Sequence, residues 1–339
     1  MERLLRRFFI LFLALGAVTA GVFVWGYGQF VRPGALPSPR TVVIAKGSGL
    51  EKIAETLTRS GVIGDSLVFR IAARLTRADK FLQAGEYAFP AEVSQRDALA
   101  LLQSGKTVLR RLTLAEGLTV AEALRLLEKT DGLVGPVGPI PGEGTLLPET
   151  YYFSFGDKRA DIKDRMIRAM KETLADLWPG RAGGLALRAP GEALVLASMV
   201  EKETALPAER PLIAGVFLNR LRRGMKLQSD PTVAYGLARL SGVPLDRPLS
   251  RADLLTPTPF NTYRIKGLPP GPISNPGRAS LVAALHPQAT DDLYFVADGT
   301  GGHVFSRTLK EHNRNVAKWR KNKRIIPSLA SGAAKDPSN

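Results

Sequence analysis

Two glutamates, Glu201 and Glu203, stand at the end of a strongly apolar helical pattern. Residues 192–204 contain neither Gly nor Pro and are apolar on nearly every face as far as Val200, which predicts a largely buried helix. Burial disfavours the charged form of a carboxylate and raises its pKa, and the partial negative charge of a helix C-terminus acts in the same direction. A carboxyl group that is still protonated near neutral pH can act as a general acid. By itself, however, Glu-Lys-Glu is more typical of a solvated helix end.

The spacing of the two glutamates indicates how many of them can act on one bond. Residues two apart point in different directions around a helix, so we do not expect Glu201 and Glu203 to form a facing pair. The pattern therefore predicts that the two carboxyl groups do not act together on one bond.

Polar and aromatic side chains crowd the segments that follow. A second helical pattern begins at Pro207, presents Asn219 among its polar positions and ends at Gly224. Carbohydrate sites combine hydrogen-bonding groups with aromatic faces, and the candidates here are Gln228, Asp230, Thr232, Tyr235, Asn261 and Tyr263. Asp230-Pro231 predicts a turn, and the Gly- and Pro-rich run at 266–273 predicts a rigid loop that lines a cleft. Each polar candidate also has a structural interpretation, because such residues cap turns.

The composition is that of a folded protein with a basic surface. The 339 residues are 45% hydrophobic and 23% charged, which favours a globular chain of one large or two ordinary domains. The absence of cysteine excludes disulfides and a cysteine nucleophile, and the three histidines do not have metal-ligand spacing. The net charge of +16 favours anionic partners, but we expect no nucleic acid because no nucleic-acid-binding motif stands out.

The N-terminus carries a membrane signal. Residues 8–29 contain no charged side chain. The length of this stretch matches the roughly 20 apolar residues that a helix needs to cross a bilayer. Arg3, Arg6 and Arg7 precede this stretch and predict a cytoplasmic N-terminus, while Trp25 and Tyr27 suit the far interface. We favour an uncleaved anchor over a cleaved signal peptide, and both alternatives export the following residues.

A small module is predicted after a Pro- and Gly-rich linker at 32–40. Its pattern is a strand at 41–44, helices at 50–57 and 66–76, and a strand at 85–89. This order resembles the LysM module, a small fold that binds N-acetylglucosamine units. A subdomain that only packs or spaces is the alternative, because fold does not imply function. Further on, the sequence predicts a helix at 96–104, a strand at 112–114, a helix at 120–129 and a loop at 131–145.

Several long motifs in one order resemble the YceG-like family, the endolytic murein transglycosylases. The central ones are EKET at 201–204, FLNRL at 217–221, QSDPTV at 228–233 and NTY at 261–263, the last leading to Pro270-Gly271. LPETY at 147–151, LYFVA at 293–297, GGHVF at 301–305 and His312-Asn313 support them. The resemblance covers nearly the whole chain.

The resemblance implies an α+β protein with an N-terminal transmembrane helix, a small LysM-like module and a larger mixed α/β catalytic domain of the YceG type. The implied boundaries are 1–30 for the stub and membrane helix, 31–40 for the linker, 41–106 for the module, 107–327 for the catalytic domain and 328–339 for a disordered tail. Single-pass insertion would leave the N-terminus cytoplasmic and the catalytic domain on the outer face of the cytoplasmic (inner) membrane.

The resemblance also implies a reaction. Family members cleave the bond between N-acetylmuramic acid and N-acetylglucosamine within nascent strands, leave 1,6-anhydro ends and so terminate elongation. The catalytic glutamate then matches Glu203, with Glu201 as the fallback, and the polar residues above would bind sugar, with Glu149 as a further candidate. No metal or cofactor is implied. The partners are peptidoglycan strands and the membrane, and membership of a cell-wall synthase complex stays open, as does a non-catalytic peptidoglycan-binding scaffold.

Overall fold

The computed structural model describes residues 2–330 and shows a mixed architecture of helices and short strands. The chain divides into two compact units. The first comprises the residues up to Arg111 together with Asp131–Val134 and Tyr152–Lys158, and the second comprises Leu112–Thr130, Gly135–Tyr151 and the residues from Arg159 onward. The predicted mixture of helix and strand and the predicted N-terminal apolar helix are confirmed.

The first helix, α1 (Glu2–Val31), is long and apolar enough to cross a membrane. None of its most apolar window is buried by the rest of the protein. Only its last turn is covered, where Phe30 packs against the core of the first unit and Gln95 Nε2 donates to the carbonyl of Gln29. The apolar surface of α1 is therefore available to another apolar medium.

The first unit is built on the antiparallel pair β1 (Arg40–Ile44) and β2 (Gly85–Phe89), with Ile44 opposite Gly85. The helices are α2 (Leu50–Arg59), α3 (Ser66–Leu75) and α4 (Gln95–Ser104), with a 3₁₀ turn at Ala78–Phe81. Tyr87, Phe69, Phe89 and Leu57 fill its core. These elements confirm the helices and strands predicted between residues 41 and 104.

The segment between α1 and β1 contains no helix or strand, as its Pro and Gly content predicts, but it is packed in place. Leu36 is buried in the core of the first unit. Gly34 N donates to Glu92 O at 3.0 Å, and Glu92 N donates to Leu36 O at 2.9 Å. A side chain at Gly34 would meet the Val93 carbonyl oxygen at 2.3 Å, so this close approach needs glycine.

The chain then forms β3 (Leu109–Thr113), α5 (Val120–Lys129), β4 (Thr150–Ser154) and α6 (Arg159–Leu177). β3 pairs with β4, and it begins earlier than the strand predicted at 112–114. The predicted helix at 120–129 is confirmed, and a reciprocal capping box between Thr119 and Glu122 fixes its start.

The second unit also contains the helices that follow α6. In chain order they are α7 (Pro190–Glu203), α8 (Arg210–Arg222), α9 (Asp230–Ser241), α10 (Arg251–Leu255) and α11 (Arg278–Leu285). An antiparallel hairpin of β5 (Tyr294–Ala297) and β6 (His303–Ser306) follows, and then α12 (Leu309–Ala330). Residues 331–339 of the predicted tail lie outside the described residues.

The predicted turn at Asp230-Pro231 is wrong, because these two residues begin α9. Proline fits the first turn of a helix, where its missing N–H is not needed for a helical hydrogen bond. Ser229 precedes the helix with an extended backbone. The same Pro that indicates a turn in sequence therefore starts a helix here.

Phe217 tests whether the core of the second unit sets its stability. Its side chain is 1% exposed and its ring meets that of Phe295 at 5.8 Å, edge to face. We expect Phe217→Ala to lower the free energy of unfolding by about 3–5 kcal/mol through the cavity it leaves. Leu240→Ala is the matched control, since Leu240 is 65% exposed, and it should change that free energy by less than about 0.5 kcal/mol. Equal losses in denaturant unfolding of the two variants would contradict this account.

Candidate active site

Glu203 is the last residue of α7, and the burial of that helix fixes its position. Residues Ala193–Val200 are all buried, and α7 contacts α6, α8, α9 and α11. Thr204 ends the helix with an extended backbone. Because α7 is enclosed on most sides, its final carboxyl group is placed by tertiary packing.

The carboxyl group of Glu203 faces a cleft of about 540 Å³. Ser229 Oγ donates to Glu203 Oε1 at 2.5 Å. Burial raises the pKa of Glu203 to about 7, and the negative charge of Asp230 acts in the same direction. The hydrogen bond from Ser229 and the charges of His303 and Arg220 oppose this rise. The group is therefore protonated in a large share of molecules at neutral pH.

Ser229 is itself held by buried hydroxyl groups. Ser229 N donates to Thr262 Oγ1 at 2.9 Å, and Thr232 Oγ1 donates to the Ser229 carbonyl at 2.6 Å. The hydroxyls of Thr232 and Thr262 lie 2.8 Å apart. This network orients the Ser229 hydroxyl toward Glu203 and links the start of α9 to the segment around Asn261.

Asp230 and Tyr263 line the cleft as a bonded pair. Tyr263 OH donates to Asp230 Oδ1 at 2.6 Å, and burial raises the pKa of the Tyr263 hydroxyl, so it remains a donor. Gln228 lines the same cleft with a positive φ of 50°. Such a backbone is uncommon for a residue other than glycine and is often found at functional sites.

Arg220 places a positive charge in the wall of the cleft. Its guanidinium donates to the carbonyls of Leu293 at 2.6 Å and Leu227 at 2.8 Å. It also lies 5.2 Å above the ring of Tyr294, which stacks on His312. These contacts fix the guanidinium, and α8 thereby joins the hairpin to the wall of the cleft.

The β5–β6 hairpin contributes His303, which is held by Glu209. Glu209 accepts from His303 N at 2.7 Å, and its Oε2 lies 2.8 Å from His303 Nδ1. Thr204 Oγ1 donates to the same carboxylate at 3.0 Å. Although burial acts in the opposite direction, the hydrogen bonds from His303 and Thr204 lower the pKa of Glu209. Glu209 therefore orients the imidazole beside the cleft.

The remaining wall comes from α12. His312 and Trp319 line the cleft together with Leu309, Asn313 and Val316. Aromatic faces beside polar groups are typical of sites that bind sugar rings. The sequence pattern did not single out this helix as part of the site.

Glu201 lies away from the cleft, in an ion-pair network. Arg210 donates to Glu201 Oε1 at 3.0 Å and to Glu116 at 2.9 Å, and Gly277 N donates to Glu201 Oε2 at 2.9 Å. The Glu201 side chain is buried. The two glutamates thus point in different directions, as their spacing predicts, and only Glu203 lines the cleft.

The other candidates divide into three groups. Gln228, Asp230 and Tyr263 share the cleft with Glu203. Asn219, Asn261 and Thr232 are buried and hold backbone segments; for instance, Asn219 donates to the carbonyls of Thr290 and Asp292. Tyr235 donates to Glu143 at 3.1 Å, and Glu149 is exposed; neither belongs to the group that lines the cleft.

Ser229, Arg220 and His303 were not among the candidates. Ser229 and Arg220 lie inside the motifs at 228–233 and 217–221, so the motifs contained a signal for both. His303 lies inside the supporting motif at 301–305, but no periodicity marks it. The hairpin and Glu209 bring it to the cleft, and neither contact can be read from spacing along the chain.

Comparison with known proteins gives consistent matches. Residues 42–318 match the model of the YceG-like family. The chain is 32% identical over 336 residues to the endolytic murein transglycosylase of Bacillus subtilis, with 89% of this chain and 91% of that protein covered. It is 31% identical over 360 residues to the endolytic murein transglycosylase of Streptococcus pneumoniae serotype 2, with 91% of this chain covered. The match spans only 64% of the length of that relative.

A solved structure matches as well. The crystal structure of a YceG-like protein from Listeria monocytogenes is 31% identical in sequence, with a TM-score of 0.50. The match covers 82% of this chain and 99% of that chain.

Two substitutions should move the pKa of Glu203 in opposite directions. Ser229→Ala removes a hydrogen bond that lowers this pKa, so the midpoint should rise above about 7. Asp230→Asn removes a negative charge that raises it, so the midpoint should fall below about 7. The measurement is the titration of the Glu203 carboxyl carbon by NMR, with the exposed Ser104→Ala as the control. Shifts of the same sign in both variants would overturn this description of the site.

Proposed function

The chain belongs to the YceG-like family, and we propose that it is a lytic transglycosylase that cleaves the glycan strands of peptidoglycan. In this proposal the cleaved bond joins N-acetylmuramic acid to N-acetylglucosamine within a nascent strand. The product carries a 1,6-anhydro end, and cleavage terminates elongation. The relatives named endolytic murein transglycosylase support this assignment.

The observation that carries the proposal is the carboxyl group of Glu203. It opens on a cleft, has a pKa of about 7 raised by burial, and accepts a hydrogen bond from a neutral hydroxyl. A general acid works best when its pKa lies near the operating pH, because the protonated form is then populated and transfers its proton readily. Proton donation to a glycosidic oxygen needs such a group.

The proton of Glu203 passes to the glycosidic oxygen as the bond from the anomeric carbon breaks. The C6 hydroxyl of the same N-acetylmuramic acid attacks that carbon and closes the anhydro ring. The hydroxyl proton passes to the Glu203 carboxylate, which restores the starting acid. One carboxyl group therefore serves as acid and then as base, and no water is consumed.

Asp230 is the other carboxylate among the described residues that line the cleft. Ordinary glycosidases use a second carboxylate as nucleophile or as the base that activates water. Here Asp230 accepts a hydrogen bond from Tyr263, and its charge raises the pKa of Glu203. We assign it an electrostatic role: its negative charge keeps Glu203 protonated and favours positive charge developing on the sugar ring.

The same geometry supplies contacts for sugar. Gln228 and Tyr263 bring hydrogen-bonding groups to the cleft, and Tyr294 and Trp319 bring aromatic rings to its wall. Asn219, Thr232 and Asn261 act in this proposal as positioning residues, because their side chains are occupied by backbone groups. The supporting observation is that Gln228, Asp230 and Tyr263 line the same cleft as Glu203.

The helix α1 fits a membrane anchor in this function. Its most apolar window is unburied, and Arg3, Arg6 and Arg7 lie in its first turns, before the uncharged stretch at 8–29. We place the N-terminus in the cytoplasm and the rest of the chain on the outer face of the cytoplasmic membrane. A LysM-like role for the first unit and association with cell-wall synthases remain predictions from sequence.

Substitution of the two glutamates separates catalysis from structure. We expect purified Glu203→Gln to lose anhydro product on isolated glycan strands by at least about a hundredfold, since general acid–base catalysis contributes about 10²–10⁴-fold. Glu201→Gln weakens the Arg210 network, so it should lower thermal stability while cleavage persists at temperatures where the variant is folded. Glu192→Gln, at the opposite end of α7, is the control and should retain activity.

Mass spectrometry of the products distinguishes the alternatives. Reducing ends in place of anhydro ends would indicate hydrolysis with Asp230 as the base. No turnover by the unsubstituted protein would favour a non-catalytic peptidoglycan-binding scaffold. Loss of anhydro product with Glu201→Gln alone would move the acid to Glu201.

The turnover number should fall as pH rises, because the acid Glu203 has a raised pKa and loses its proton near neutral pH. Glu203 has to be protonated before cleavage, and its protonated fraction falls as pH rises through about 7. We expect the turnover number to fall roughly tenfold per pH unit above this midpoint. Steady-state rates between pH 5 and 9 measure this fall of the turnover number. In Ser229→Ala the fall should begin at a higher pH, because the substitution raises the pKa of Glu203.

A further inference from the structure

An apolar face of α3 is left uncovered although the opposite face is fully used. Leu67, Ile71, Leu75 and the following Phe81 are between 48% and 71% exposed. The first three recur at every fourth position, so they form one row along the helix. Phe69 and Ala73, on the other side of α3, are buried in the core. We call the four exposed residues the α3 face.

The α3 face exceeds what the packing of the first unit requires. Single exposed apolar residues are common on protein surfaces, but three large ones in one row, with Phe81 shortly after them, are typical of an interaction site. These four side chains are exposed even though all the other described residues of the chain are taken into account. None of the described residues covers the face, which leaves it available to a partner.

The position of the α3 face relative to α1 points to that partner. α1 contacts α3 and α4 through its last turn, because the preceding turns of α1 are exposed. Trp25 and Tyr27 stand just before that turn. These residue types favour the boundary between lipid and water, so α3 lies beside the point where an inserted α1 would leave the bilayer.

The end of α1 is held against the rest of the first unit by packing and hydrogen bonds. Phe30 packs on the core, Leu36 is buried in it, and Gly34 and Leu36 exchange backbone hydrogen bonds with Glu92. An inserted α1 would thus hold α3 at a fixed distance from the membrane surface. A flexible linker between α1 and the first strand would not fix that distance.

The charges around the α3 face suit an anionic surface. Arg74, Arg77 and Lys80 are exposed on or just after α3, against the neighbouring acidic residues Asp79 and Glu51. Glu51 Oε1 lies 2.9 Å from Arg70 Nη2 and 3.7 Å from Arg74 Nη2, so this carboxylate is already paired with arginines of α3. Basic groups beside an apolar helical row are typical of helices that lie in the interfacial layer.

We propose that the α3 face docks into the interfacial layer of the same bilayer that α1 crosses. Leu67, Ile71, Leu75 and Phe81 enter the boundary between headgroups and acyl chains, and Arg74, Arg77 and Lys80 contact anionic headgroups. Docking fixes the first unit flat against the membrane. The proposal depends on α1 acting as the anchor.

The test uses the full chain, in which the absence of cysteine allows single labelled sites. Ile71→Cys carries an environment-sensitive fluorophore, and the protein is reconstituted into vesicles of phosphatidylethanolamine and phosphatidylglycerol. Ala88→Cys is the matched control, because Ala88 is exposed on β2, whose inward residues Tyr87 and Phe89 face the core. Leu75→Cys repeats the measurement, and melting temperatures check that each labelled variant is folded.

The expected result is a blue shift of the emission at positions 71 and 75, quenching by nitroxides on the acyl chains and loss of quenching by aqueous iodide. The label at 88 should keep its emission and its iodide quenching. Water-like emission at 71 and 75 in protein that floats with the vesicles would overturn the docking. Protein that does not float with the vesicles would instead contradict the anchor.

Two further outcomes would also overturn the docking by assigning the α3 face to another partner. A blue shift produced by added glycan strands in detergent, but not by lipid, would make it a sugar-binding surface. A shift that follows protein concentration at constant lipid would make it a contact between two copies.

Discussion

The enclosure of α7 is the constraint on which the site depends. A helix that is apolar on nearly every face has to be surrounded, and α6, α8, α9 and α11 surround this one. Glu203, the last residue of α7, therefore lies where the packing around the helix stops, at the edge of a cleft. The carboxyl group of Glu203 loses much of its hydration there, and that loss is the largest cause of its raised pKa. The hydrophobic pattern of one helix thereby sets the protonation of the proposed acid.

The partners of the two glutamates explain why neighbours in sequence differ so much in environment. Glu201 meets the guanidinium of Arg210 and a backbone N–H, which compensate a full negative charge. Glu203 meets the neutral hydroxyl of Ser229 and the negative charge of Asp230. A cationic partner favours ionisation, whereas a neutral donor beside a like charge leaves desolvation in control. The arrangement thus assigns a structural charge to one glutamate and a titratable proton to the other.

Sequence reasoning succeeded where periodicity is strong and failed where tertiary contacts decide. The burial and the end of α7, the helices and strands between residues 41 and 104, and the different directions of Glu201 and Glu203 follow from spacing alone. Spacing did not show which polar residues reach the cleft. Asn219, a candidate, holds loop carbonyls, whereas its neighbour Arg220, which was not a candidate, reaches the cleft. His303 and Trp319 depend on the hairpin and on α12, which meet the site from far along the chain. Asp230-Pro231 suits a turn and a helix start equally well, and only Ser229 and its partners distinguish the two.

Three helices of this chain show how uncovered apolar surface indicates a missing partner. α7 is apolar nearly all round, and the protein itself covers it. α1 is also apolar all round, but the described chain covers only its last turn, so a lipid phase is the consistent environment. α3 is intermediate: one side is in the core and the other side carries the exposed row. Because α3 is fixed to the end of α1, the medium that covers α1 is also the nearest one available to that row. Burial of apolar area is favourable in either medium, so the same physical term accounts for the buried helix and would account for the proposed anchor and the proposed docked face.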